Sequence, residues 1–526
     1  MAPDSLAETQ SPRRRRAGGR AGNQRRPAPG ISSLRQAPWD VPRYADRPSE
    51  PLSAEEVERI HLGAMRILEE IGIWFLNEEA QEVLRQAGCE VEESSGRVRM
   101  DRAFVMEMVA LAPPQFTLTP RNVERCVTIG GPHAVYVNVS SPPNCSDLER
   151  GRRVGDRQSF QELLKLTQAF NCLHLAGGYP VEPLDLHPSI RHLDAIFDKL
   201  VLTDKVVHAY SLGRERIEDA MEMVRIAGGL SHDAFEAEPR MYTNINSSSP
   251  LKHDFPMLDG AMRMARRGQP VIVTPFTLAG AMAPVTLAGA VAQQTAEALA
   301  AIALLECVRP GAPVAYGSFT SNVDMKSGAP AFGTPEYLRA TQMSGQMARY
   351  YGLPFRASNA CAANAPDPQA AWESAFSLWA CTSAQANIVY HAAGWLEGGL
   401  TASYEKFVMD CEMLQQVQHA MKPVSVTEDD LAIDAIAEVG PNGHFFGGAH
   451  TQARYESAFY SPFLSDWRNY ETWQQAGSLS APERALAIWK AILAEFEPPP
   501  MDEAIREELA AFVTRRKREG GAPTDF

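Results

Sequence analysis

Among eight cysteines scattered through 526 residues (Cys89, Cys126, Cys145, Cys172, Cys307, Cys361, Cys381 and Cys411) there is no C-x-x-C pair. With no secretory signal either, they fit reduced thiols in a cytoplasm better than a disulfide framework. Long apolar runs are also lacking. The longest apolar region, 271–308, is interrupted by Pro275, Pro284, Gln293, Gln294 and Glu297, so it does not read as a membrane span. No G-x-G-x-x-G turn follows a strand-like run, which leaves a dinucleotide-binding sheet without its fingerprint. An excess of basic charge is lacking outside the first 36 residues: there eight arginines face only Asp4 and Glu8, while the whole chain carries a net charge of −14, so the remainder is strongly acidic. So acidic a body argues against nucleic acid as the main partner. The basic arm has no apolar h-region and reads as a solvated, disordered leader over residues 1–50.

What is present is a regular alternation. "SAEEVERIHLGAMRILEEIGI" predicts a helix opened by a Ser53/Glu56 capping box. With two further helices and two short strands it makes residues 51–150 a helical and small-sheet extension. From residue 160 onward, helix-like segments alternate with eight β-rich runs: 173–180, 205–212, 240–247, 270–276, 313–319, 354–360, 387–394 and "HFFGGAH" at 444–450. Eight parallel strands with crossover helices predict an α/β fold, a (β/α)₈ TIM barrel over residues 151–480, followed by a helical tail over 481–526.

A barrel carries its chemistry where strands end and loops begin. Those ends hold Tyr179 and Glu182, then Asn244, Asn246 and Ser247, then Phe276, Tyr316, Phe319, Asn359, His391, Trp395 and His450. The set is rich in aromatics and amides and poor in charge. His391, Cys361 and the pair His444 and His450 come from different elements without diagnostic zinc spacing, so no metal is expected. Cys361, in "PFRASNACAANAPDPQAAWES", has no neighbouring base and reads as a packing residue. "SDLERGRRV" reads as a salt-bridged turn. A cage of Phe276, Tyr316, Phe319 and Trp395 would suit a quaternary ammonium ion, which accepts no hydrogen bonds and is held by ring faces.

The run "PVTLAGAVAQQTAEALAAIALLECVRPGAPVAYGSFTSNVDMKSGAPAFGTPE" resembles the long signature of the trimethylamine methyltransferase family. "IHLGAMRILEEIGI", "DLERGRRV", "NSSSPL", "PDPQAAWE", "GHFFGGAHTQARYE" and "SDWRNYETW" resemble other family motifs in the same order, so the likeness runs from about residue 51 to about 480. The resemblance implies a (β/α)₈ enzyme that takes a methyl group from a methylated amine and hands it to the cobalt of a separate corrinoid protein. Cobalamin would then be carried by the partner, with no cofactor bound by this chain. Aligned on "PDPQAAWE", the loop that carries pyrrolysine in trimethylamine enzymes falls within 358–366, nearest Asn364 and Ala365, and every residue there is a standard one. The likeness is therefore to the branch lacking pyrrolysine and points to a small quaternary amine such as glycine betaine. Trp467 departs from the family pattern, in which an arginine commonly follows the aspartate.

The binding set expected from these readings is Tyr179, Asn244, Asn246, Phe276, Tyr316, Phe319, Asn359, Asn364, His391, Trp395 and His450. Alternatives left open are methyl transfer to tetrahydrofolate or another acceptor, and a betaine-binding barrel without turnover. A cytoplasmic homo-oligomer, with neither nucleic acid nor membrane as partner, completes the expectation.

Overall fold

The computed structural model describes residues 34–524. Its centre is a parallel barrel whose strands are β1 (Val135–Tyr136), β2 (Leu175–Ala176), β3 (Val206–His208), β4 (Met241–Ile245), β5 (Val271–Val273), β6 (Val314–Gly317), β7 (Phe355–Ser358) and β8 (Ile388–Tyr390). They pair in the order β1-β8-β7-β6-β5-β4-β3-β2, and a parallel bridge between Val137 and Leu175 joins the two edges. Each strand is followed by an outer helix: α1 (Arg157–Ala169), α2 (Arg191–Leu202), α3 (Arg214–Ala227), α4 (Phe255–Arg266), α5 (Leu287–Val308), α6 (Pro335–Tyr350), α7 (Pro368–Ser383) and α8 (Tyr404–Ala420). Helices α4, α6 and α7 start sharply. Asp254, Thr334 and Asp367 accept from the backbone N–H groups of Met257, Tyr337 and Ala370, and a proline occupies the first helical turn, where its missing N–H costs nothing. α5 is apolar and long enough to cross a bilayer, but it is mostly buried as a core helix of the barrel wall.

Side-chain alternation along the strands decides what faces the lumen. Val135, Val137, Leu175, Val206, Tyr242, Ile272, Ala315, Ile388 and Tyr390 form one core cluster. It is continuous with Leu118, Val127 and Ile129 of the hairpin Gln115–Leu118/Val127–Gly130. Seven strands contribute to that cluster, and β7 does not. In register, Arg356 of β7 lies between Gly317 and the lumen-facing Ile388, so β7 places an arginine where its neighbours place small or apolar groups. Gly317 is required there: a Cβ at this position would lie 2.1 Å from Thr274 Oγ1.

Three expectations are corrected. The run at 444–450 is not a strand. With two successive glycines and no alternation, it forms a 3₁₀ turn at Phe445–Gly447 and the start of a helix, Ala449–Arg454. The missing strand is β1, within "HAVYVNVS", so the barrel begins inside the stretch read as an extension. Segment 426–460 belongs to a separate small unit of short helices with no buried residue. Residues 1–33 of the basic arm lie outside the described residues, but 34–50 are packed. Gln36 donates to Ala169 O (2.7 Å) and accepts from Asn171 N (2.7 Å), and Tyr44 Oη donates to Ala386 O (2.7 Å). Two helices, Ala481–Glu495 and Glu503–Arg518, follow at the C-terminal end.

Candidate active site

A cavity of about 630 Å³ opens at the C-terminal ends of the strands. Of the expected residues, Tyr179, Asn244, Asn246, Phe276, Phe319 and His391 line it. Phe276 and Phe319 make one wall, with ring centroids 5.1 Å apart, and Phe319 stacks on Phe332 behind it at 5.4 Å. Tyr179 and Tyr210 meet edge to face at 4.8 Å on the opposite side. The amides are fixed by neighbours. Asn244 Oδ1 accepts from Thr274 Oγ1 (2.8 Å), and Asn246 Nδ2 donates to Thr274 O (2.7 Å).

The other expected residues lie elsewhere. Tyr316 points outward to α5, where its hydroxyl meets Gln294 Nε2 (2.9 Å) and Thr295 Oγ1 (2.8 Å). Trp395 forms a second layer, 4.1 Å behind His391, and its indole N–H donates to Cys361 O (3.1 Å). Asn359 is buried with its amide against Ala392 O (3.3 Å), and Asn364 is exposed. His450 sits in the small unit, 3.2 Å from Asp429 O. The thiol of Cys361 is fully buried, and burial pushes it up to about 12, so it holds its proton and is no nucleophile at neutral pH. Two backbone N–H groups of the same loop, on Ala362 and Ala363, donate to Glu373 of α7 (2.8 and 2.9 Å) and tie the loop to that helix. Asp147 gathers Arg150 (2.7 Å) and Arg153 (2.8 Å), the salt-bridged turn expected of "SDLERGRRV".

Several cavity residues escape the sequence reading: Ser140, His208, Tyr210, Tyr390 and, above all, Arg356. Its signal is a lone charge inside the β-rich run "PFRASNA", since a charge on a buried strand needs a partner. Arg356 is 3% exposed, and its guanidinium lies over the rings of Tyr390 (4.7 Å) and Phe319 (5.7 Å). One nitrogen donates to Ser318 O (3.3 Å), while Nε is buried without a protein acceptor. Among the described residues no carboxylate lies within ion-pair distance of it. Burial lowers its pKa, yet an arginine remains charged at neutral pH.

Three imidazoles among the described residues line the cavity; His192 is held by Asp219 (2.9 Å), and His208 and His391 are neutral. Burial and nearby cations, Lys199 and Arg356 for His208 and Arg356 for His391, push their pKa values well below the ordinary range. His208 Nε2 accepts from Asn244 N–H (3.2 Å), which leaves its proton on Nδ1. His391 Nδ1 accepts from Ser140 N–H (3.2 Å), which leaves its proton on Nε2. Among the described residues Glu182 is the one carboxylate lining the cavity. Burial raises it to about 7, and it stands 3.8 Å from Arg191. Lys199, buried behind Tyr179 and lowered to about 7 by burial, ties Gly177 O (2.5 Å) to His208 O (2.9 Å) and so joins the ends of β2 and β3.

A ring-lined cavity at the strand ends of a barrel, with Arg356 lacking an ion-pair partner among the described residues, is the geometry of an enzyme site for a small molecule. The comparisons with known proteins narrow that class. The profile of trimethylamine methyltransferase (MTTB) matches residues 15–521. The chain is 39% identical to glycine betaine methyltransferase of Desulfitobacterium hafniense (strain Y51), covering 89% of this chain and 98% of that protein. It is 30% identical to trimethylamine methyltransferase MttB of Desulfitobacterium hafniense (strain DSM 10664 / DCB-2), over 89% and 94% of the two chains. The hydroxylamine MtmB complex, a solved structure, is similar over 89% of this chain and 96% of that one at 10% identity, with a TM-score of 0.47. The chain belongs to the trimethylamine methyltransferase family and is a methyltransferase of the methylated-amine type.

Proposed function

We propose that this enzyme takes a methyl group from a betaine, a small quaternary amine bearing a carboxylate such as glycine betaine, and passes it to the cobalt of a separate corrinoid protein. The observation that carries the reading is Arg356. A buried guanidinium with no carboxylate within ion-pair distance among the described residues is a ready partner for the carboxylate of a zwitterion, and its planar fork suits bidentate contact. The ring faces of Phe276, Phe319 and Tyr390 supply the other half of the recognition, since a quaternary nitrogen is attracted to π faces and accepts no hydrogen bond. Trimethylamine has no group to answer Arg356.

The chemistry asks little of the protein beyond placement. The C–N bond breaks with its electron pair left on nitrogen, the cation becomes a neutral tertiary amine, and no proton has to move. Neutral His208 and His391 add no positive charge beside the ammonium group. The partner's reduced corrinoid supplies the nucleophile. This chain's residues hold the carboxylate, aim one methyl outward and keep water from the lumen, so that most of the acceleration comes from orientation. Calorimetric titration with glycine betaine, carnitine, choline and trimethylamine tests the reading. It expects the carboxylate-bearing amines to bind at least tenfold more tightly than choline, and trimethylamine to give no measurable heat. Equal affinity for choline and glycine betaine would overturn it.

A further inference from the structure

The run "AVAQQTAEALAAIALLE" on α5 raises a question that the cavity does not answer, because none of its residues lines the site. α5 is an apolar core helix in which Gln293, Gln294, Thr295 and Glu297 are nonetheless buried. Buried polar groups persist only when their partners are complete. Here they are.

The Glu297 carboxylate is fully buried, and no cation stands within ion-pair distance of it among the described residues. Its oxygens are satisfied by neutral donors instead. Oε1 accepts from Leu251 N (2.8 Å) and Gln293 Nε2 (2.9 Å), and Oε2 accepts from Ser249 Oγ (2.6 Å) and from Ser247 Oγ. Three of those four donors belong to the loop that leaves β4, directly after Asn246, and Ser247 itself lines the cavity. The loop is closed on itself by Ser248 N–H donating to Lys252 O (2.7 Å), and Glu297 fastens its three other polar groups to α5; Leu251 sits at φ 57°, a left-handed conformation that a leucine holds only when its surroundings fix it.

Gln294, one turn earlier, does the same for β6. Its Oε1 accepts from Ser318 Oγ (2.9 Å) and Thr320 Oγ1, the two residues that flank Phe319, and its Nε2 donates to Tyr316 Oη (2.9 Å) and Ser344 Oγ (3.0 Å). β4 and β6 are the two neighbours of β5 in the barrel. One turn of α5 therefore holds both flanks of the wall that runs from Asn246 through Phe276 to Phe319.

We infer that Gln294 and Glu297 are positioning residues for the methyl-donor site: they touch no substrate, and they set the spacing and aim of Asn246, Ser247 and Phe319 around it. The inference rests on the betaine reading for its kinetic readout. It explains why a stretch so specific in sequence lies on an outer helix rather than at the barrel mouth.

KM separates positioning from mere support, because it does not depend on what fraction of a preparation is folded. Gln294→Met is close in shape but removes four hydrogen bonds, and Glu297→Leu removes four. Glu297→Gln keeps an acceptor for Leu251 N–H and an amide to which the serine hydroxyls can turn. Methyl transfer from glycine betaine by each variant is expected to show KM raised tenfold or more for Gln294→Met and Glu297→Leu, and within threefold of wild type for Glu297→Gln. Should the first two fail to fold, Ser318→Ala and Ser249→Ala remove single hydroxyls from the loop side and are expected to raise KM about threefold. Unchanged KM in every folded variant, with only thermal stability lowered, would assign the network to support alone and overturn the inference. Wild type without turnover of any quaternary amine would instead refute the betaine reading.

Discussion

Replacing Arg356 by methionine separates the role of substrate anchor from that of structural support, because the two predict opposite stability effects. In the protein without substrate the guanidinium is buried over Tyr390 and Phe319 with no ion pair among the described residues, so the variant loses cation–π contacts of about 0.5–2 kcal/mol. It also sheds an uncompensated buried charge, whose burial costs several kcal/mol even after relaxation. The unfolding midpoint of Arg356→Met is therefore expected to equal or exceed that of wild type. Betaine binding behaves differently. Removing one partner of a buried, hydrogen-bonded charge pair costs about 3–5 kcal/mol, and 1.4 kcal/mol is a factor of ten, so Kd for glycine betaine should rise by roughly two to three and a half decades. Choline, which has no carboxylate, should bind the variant as well as it binds wild type, or better, since a positive charge has left the site. Calorimetry with both ligands and a thermal melt of the free protein read all three quantities. Glycine betaine bound within threefold of wild type, or choline and betaine affinities lost in parallel, would refute the assignment.

Other outcomes follow from the same geometry. Cys361→Ala should retain methyl transfer within twofold, and the wild-type thiol should stay unlabelled by iodoacetamide at pH 8 in the native state, given its buried position and its pKa near 12. Gly317→Ala would press a methyl group against Thr274 and disturb the Thr274–Asn244 bond, so it should cost about 1–3 kcal/mol of stability in denaturant unfolding and weaken betaine binding together. Glu182 has its folded pKa raised from 4.5 to about 7, so the folded state holds more protons than the unfolded state between those values. Its contribution to stability must therefore fall as pH rises from about 4.5 to about 7. Unfolding free energies measured across that window should show this loss in wild type and a shallower slope in Glu182→Gln; identical slopes would contradict it.

The barrel is legible in the sequence wherever a short β-rich run is followed by an amphipathic helix, which holds for β2 to β8. β1 escapes because only Val135 and Tyr136 pair in it, and a hairpin, Asn144–Asp147 with Gly151–Val154, intervenes before α1 begins at Arg157. The run at 444–450 misleads in the opposite sense, since its apolar residues imitate a strand while Gly447 and Gly448 deny it one. Strand-end position leads to residues that line the cavity, Asn244, Asn246, Phe276 and Phe319, because alternation on a barrel strand sets which side faces inward. It fails for Tyr316, one residue out of phase with the lumen-facing Ala315 and Gly317. Arg356 is overlooked for a different reason: its meaning lies in what does not pair with it, and absence of a partner is a property of the fold rather than of the local sequence.

The most direct measurement is a turnover assay with the purified protein, a reduced corrinoid protein and glycine betaine, read by mass spectrometry of the amine and by absorbance of the corrinoid. One equivalent of dimethylglycine for each corrinoid methylated, with no reaction from trimethylamine, is the expected result. Trimethylamine consumed as fast as betaine, or no demethylated product from any betaine, would contradict it.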